Sequence, residues 1–161
     1  MLDCRSIITK TGTASIMMTC PVNNARCTRV DMLTVKSLAR RLPLGMPHTQ
    51  YYFCDSPDCD VVYFASDAET PRFCRKDLTG GVGAKQTVDP ITICYCFGFT
   101  NQEICNEIPV KGKSRLAERI AAEVEAGRCA CEVKNPSGRC CLGDVTRTVR
   151  DGLRPKGESK L

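Results

Sequence analysis

A chain of 161 residues with 6 % aromatic content and no tryptophan has little material for one large core, so two small metal-stapled domains are expected. Its formal charge of +5 counts all 13 cysteines as neutral, and no stripe of Lys/Arg interleaved with aromatics accompanies it, so no nucleic-acid partner is expected. No apolar run is long enough for a bilayer span, and Met1–Lys10 carries Asp3, Arg5 and Lys10 in place of an apolar leader, so no membrane insertion is expected and the cytoplasm is the expected compartment.

Residues 1–15 are polar and aperiodic and read as a mobile lead-in, in which Cys4 has no assigned role. Asp31–Arg41 reads as a short helix with Leu33, Val35 and Leu38 near one another and two arginines at its end. Pro43 and Pro47 enforce a loop, with His48 a solvated residue inside it. Tyr51–Phe53 and Val61–Phe64 are two β-prone runs separated by Asp-Ser-Pro-Asp, which predicts a hairpin with a cysteine on each side of its turn. These elements form a first domain over 16–80.

A glycine-containing connector over 81–90 follows. Gly80-Gly81-Val82-Gly83 lacks the spacing of a dinucleotide loop, and Gly112-Lys113-Ser114 lacks the first glycine of a phosphate loop, whose place is Glu107. In a second domain over 91–150, Ile91–Ile93 is strand-like and leads to Cys94-Tyr95-Cys96. Thr100 and Glu103 form a capping box that opens a helix to about Ile108, with Ile104, Cys105 and Ile108 on its buried side and Cys105 a core thiol. A second helix begins after Ser114, carries Leu116, Ala117, Ile120, Ala121 and Val124, and stops at Gly127. Asn135-Pro136-Ser137-Gly138 then turns Cys140 and Cys141 back toward Cys131. Residues 151–161 are a tail, and the terminal SKL, which imitates a peroxisomal address, is taken as coincidence.

In a reducing compartment, closely spaced cysteines are metal ligands before they are bridges, and an odd count cannot all pair within the chain. Cys54 and Cys59, on either side of a tight turn, resemble a zinc knuckle. Cys20 and Cys27 are the nearest pair to complete a Cys4 tetrahedron, with Cys74 as the alternative ligand. Met18-Thr19-Cys20 imitates a copper(I) loop, but Asn23 stands where its second cysteine belongs. The later cysteines suit two irons bridged by two sulfides, with Cys94, Cys96, Cys131 and Cys141 as ligands and Cys140 as the alternative to Cys141. Each loaded site adds −2, so the holo-protein carries about +1.

CYCFGFT, the helical pair containing GKS, and GRCACEVKNPSGRCCLGDV resemble the bacterioferritin-associated-ferredoxin-like 2Fe-2S domain of the CopZ N-terminal family. Cys20-Pro21, TVKSL at 34–38 and YYFCDSPDCDVVYF resemble that family's zinc-binding domain. The resemblance covers about Cys20 to Val145. It implies an α+β protein in which a small zinc-binding hairpin/helix domain precedes a helical 2Fe-2S domain. It also implies copper handling assisted by one-electron reduction of copper(II) to copper(I). Some members place the second zinc cysteine three residues after the first, where this chain has Asn23, so Cys27 enters as its replacement. No counterpart of the copper-chaperone domain of full-length members follows before Leu161.

The expected function is therefore that of a one-electron carrier working with a redox partner or a copper-transport or chaperone protein, with copper(I) a transient guest. Lys111, Lys113 and Arg115 are candidates to shift the cluster potential or to dock an acidic partner. The alternatives are a module that delivers a metal or an iron-sulfur cluster, and a structural zinc protein that recruits partners. No nucleophile and base pair marks a conventional enzyme.

Overall fold

The computed structural model describes residues 16–154, apart from the side chains of Val110 and Lys111. Cys4, the lead-in and the residues after Arg154 lie outside the described part. The first half is a sheet larger than the expected hairpin. Strands β1 (Met17–Thr19), β2 (Arg26–Val30), β3 (Tyr51–Phe53), β4 (Val61–Ala65) and β5 (Phe73–Cys74) lie side by side in chain order, every neighbour antiparallel. The β3–β4 hairpin is its centre, with Tyr52 opposite Phe64.

Every residue of β3 and β4 is buried, because both faces of the sheet are covered. On one face Tyr52 stacks on Phe64 at 5.7 Å and packs with Cys20, Cys27, Cys54, Cys59 and Val61. On the other, Tyr51, Phe53, Tyr63 and Phe73 form an aromatic cluster packed with Val30, Val35 and Leu78.

Helix α1 (Met32–Leu38) starts where Asp31 accepts the Leu33 N–H, and it stops short of the two arginines expected at its end. The chain leaves it because Ala39 bridges to Leu78 and the Arg40 N–H donates to Asp77 O at 2.7 Å. Val35 is buried and Leu38 partly so, whereas Leu33 is exposed.

In the second half, β6 (Thr92–Cys94) and β7 (Phe99–Thr100) bracket the Cys94–Cys96 loop. The capping box of Thr100 and Glu103 opens α2 (Asn101–Lys111), which runs one turn beyond the expected end, through Pro109, to a left-handed Gly112 at φ 65°. Ser114 caps α3 (Arg115–Glu125), whose Ile120 is buried. Two helices were not anticipated: the single turn α4 (Cys131–Lys134) and α5 (Leu142–Leu153), so the expected tail from 151 begins as helix. Ile104 and Ile108 are buried, while Cys105 is only half-buried.

The two halves are fastened together. Thr34 Oγ1 on α1 donates to Glu132 O on α4 at 2.6 Å, and the Tyr63 hydroxyl donates to Pro136 O at 2.7 Å. At Gly138, whose φ is 68°, a Cβ would sit 2.7 Å from Thr34 Oγ1, so glycine suits both the left-handed backbone and the close approach to the Thr34 side chain.

Candidate metal centres

The first centre lies at the ends of four strands. After β1 the chain reverses through Pro21–Asn24: the Cys20 N–H donates to Ala25 O at 2.8 Å, and Asn24 adopts φ 59°. Asn23 Oδ1 accepts the Ala25 N–H at 3.1 Å, so this residue works as a turn former. Cys27 follows in β2 opposite Met18. Across the sheet, the Cys54–Cys59 turn closes by Cys54 N–H to Val62 O at 2.9 Å and Cys59 N–H to Ser56 O at 3.3 Å.

Among the described residues, Cys20, Cys54 and Cys59 are the one set of three ligand-type side chains whose donor atoms all lie within 4.8 Å of one another. Cys20 Sγ and Cys59 Sγ are 3.9 Å apart, close to the edge of about 3.8 Å that follows from tetrahedral zinc with Zn–S near 2.3 Å. All three are at most 1 % exposed. Cys27, also 1 % exposed, reaches Cys54 by a side-chain hydrogen bond and senses the charge of Cys20. Cys74 is half-buried and points its thiol to the Asp60 carboxylate instead. A closed, buried, all-sulfur set of this size suits one zinc ion.

The thiols are not alike. Burial works to raise Cys20, but the backbone N–H groups of Val22 and Asn23, with the Cys54 and Cys59 thiols, outweigh it and hold Cys20 below the usual thiol range. Burial, with the charge of Cys54, pushes Cys27 up to about 12. Burial also lifts Cys59 to about 11, against the Val61 N–H that favours its thiolate. At neutral pH both Cys27 and Cys59 therefore keep their protons until a metal displaces them. Displacement of these two protons alone makes the apparent zinc association constant rise by at least about 100-fold per pH unit between pH 6 and 8. Chelator competition at several pH values measures that slope, and a flat response excludes these two thiols as ligands.

The second centre is built from two separate pairs. Cys94 Sγ and Cys141 Sγ lie 3.4 Å apart, and Cys96 Sγ and Cys131 Sγ 3.5 Å apart. All four pack into one cluster with Ile104, Ile120 and Val145. No three of these thiols fall within the 4.8 Å grouping that the first centre satisfies. The Ala130 N–H donates to Cys96 Sγ at 3.2 Å, and the Cys141 N–H to Cys131 Sγ. Burial pushes Cys131 up to about 12 and raises Cys141 further still. Two thiol pairs set apart in an apolar shell suit a dinuclear group better than a single ion.

Of the neighbouring cysteines, Cys140 is exposed and lines a cavity of about 690 Å³ between the halves, with Arg139, Asp144 and Arg147. Cys129 is half-buried beside the cluster, and Cys105 sits against α5 near Gly152. Of the three cations expected to serve the cluster, Lys113 is held by Glu118 at 3.0 Å. Arg115 is exposed, and the Lys111 side chain is not described. Sequence reasoning missed Lys85 and Arg75, which contact the Cys54–Cys59 turn. A lysine in a glycine-containing connector gives no periodic signal of burial.

The family zf_CopZ, a zinc binding domain, matches residues 17–79. The chain is 34 % identical over 144 residues to the copper chaperone CopZ of Archaeoglobus fulgidus, an alignment covering 89 % of this chain and 66 % of that protein, just under two thirds of its length. The crystal structure of the Archaeoglobus fulgidus CopZ N-terminal domain superposes with a TM-score of 0.62 at 31 % identity, covering 81 % of this chain and 96 % of that one. The chain belongs to the family of the CopZ N-terminal domain.

Proposed function

We propose that this protein holds zinc at Cys20, Cys27, Cys54 and Cys59 and a 2Fe-2S cluster at Cys94, Cys96, Cys131 and Cys141, and serves as a one-electron carrier in copper handling. The carrying observation is the contrast in sulfur spacing: three thiols share one 4.8 Å grouping in the first half, whereas the second half presents two pairs, at 3.4 and 3.5 Å. When bound, the cluster supplies or takes up one electron, the change that converts copper(II) to copper(I). The relative named a copper chaperone supports copper as the metal served.

The chain's own residues prepare both places. Backbone N–H groups of Val22, Asn23 and Val61 point at the first set of sulfurs and favour thiolate there. The Ala130 and Cys141 N–H groups donate to sulfur in the second, where such bonds favour added negative charge and so raise a reduction potential. Ile104, Ile120 and Val145 pack around the buried thiols of Cys94, Cys131 and Cys141, with Cys96 half-buried beside them. The test is the visible spectrum of anaerobically purified protein before and after one electron equivalent. A red-brown band that bleaches in part is the expected result; a colourless protein from iron-replete cells, with zinc in both places, overturns the carrier function.

A further inference from the structure

We propose that residues 82–86 brace the two metal centres against each other. Lys85 is 2 % exposed, and a lysine is seldom buried so deeply without partners. Its Nζ donates to Ser56 O and Cys59 O, both at 2.8 Å, inside the turn that carries Cys54 and Cys59. Arg75, at the end of β5, grips the same turn through Pro57 O and through Cys59 O at 3.3 Å, and donates to Lys85 O at 3.0 Å. Two cations thus hold three carbonyls of one short turn. Four thiolates around zinc(II) carry −2, and burying that charge costs less beside fixed positive groups.

The other end of the brace reaches the second centre. The Gly83 N–H donates to the Tyr95 hydroxyl at 2.5 Å, and Tyr95 stands between Cys94 and Cys96. The Thr92 N–H donates to Gln86 Oε1 at 3.2 Å. A Cβ at Gly83 would lie 2.1 Å from Thr92 O, so glycine is required for this approach. Between the ends, Lys85 N–H to Val82 O and Gln86 N–H to Gly83 O, both 2.9 Å, close a tight turn. The chain from Cys59 O through Lys85 and Gly83 to Tyr95 is a continuous polar path between the two sets of cysteines.

This role takes its meaning from the two-metal function proposed above, but hydrogen exchange on the full chain as purified tests it whatever metal is bound. Lys85→Met keeps the bulk and removes the donors; Lys85→Gln and Tyr95→Phe serve as milder variants where the first loses its fold. Amide exchange in segment 54–62 rises about tenfold or more in Lys85→Met, in line with the loss of hydrogen bonds from a charged group. Exchange in segment 92–98 rises with it, and Tyr95→Phe reproduces the rise in 92–98. A change confined to 54–62, or none, overturns the brace. Metal content of the wild type, measured beside it, reports on the two-metal function separately: absent zinc and iron count against that function, while the exchange pattern still decides the brace.

Discussion

With zinc held at the proposed first centre, Cys59→Ala is expected to release it and to collapse the cooperative melting of the first half. The thiol is 1 % exposed and 3.9 Å from Cys20 Sγ, so its removal opens a closed tetrahedral set to water and to exchange. A structural zinc contributes on the order of 10 kcal/mol to such a site, comparable with the whole net stability of a domain at about 5–15 kcal/mol. Alanine leaves the Cys59 carbonyl in place for Lys85 and Arg75, so the effect isolates the thiolate from the brace. Circular dichroism melting with zinc analysis on the same sample is the check. A melting curve equal to the wild type, with one zinc retained, eliminates Cys59 as a ligand. Because Tyr63 and Thr34 in the first half bond to Pro136 and Glu132 in the second, the variant also lowers the melting of the second half.

With a cluster at the proposed second centre, Cys141→Ser is expected to remove the visible absorbance and the iron, whereas Cys140→Ser is expected to leave both in place. Cys141 is 1 % exposed with its sulfur 3.4 Å from Cys94 Sγ, and its neighbour turns outward to the cavity between the halves. Cys140 lies before α5 and Cys141 is its N-cap, and at this entry the Cys141 thiol joins the cluster of Cys94, Ile104 and Val145 while Cys140 is exposed. Iron and acid-labile sulfide per chain, measured after anaerobic reconstitution, falls at least about tenfold in Cys141→Ser. Equal loss in both variants, or in neither, removes Cys141 from the proposed ligand set. Zinc at the proposed first centre is expected to stay bound in each.

Much of the layout was legible in the residues because it rests on local rules. The β3–β4 hairpin follows from aromatic and β-branched runs around Asp-Ser-Pro-Asp, and the start of α2 from the Thr100–Glu103 capping box. The start of α3 follows from Ser114 and the spacing of Leu116, Ile120 and Val124. Strands β1, β2 and β5 were not legible. They are short, with residues such as Arg26 and Met17 exposed, and they are strands because neighbouring strands give them partners. The end of α1 was misplaced because Ala39 and Arg40 are drawn off by Leu78 and Asp77, nearly forty residues away.

By itself the sequence determined the inventory and the grouping: which residues can bind metal, that they fall in an early set and a late set, and that turns lie between the members of each. Spacing along the chain suffices for that, since a turn of a few residues brings its own ends together. The tertiary structure alone decided which thiols share a place. Strand register turns Cys27 toward Cys54 and Cys20 while Cys74 meets Asp60, and the entry into α5 sends Cys141 inward and Cys140 outward. It alone placed Lys85 under the Cys54–Cys59 turn. These are convergences between residues far apart in the chain, and they follow from how buried faces pack, which no local spacing encodes.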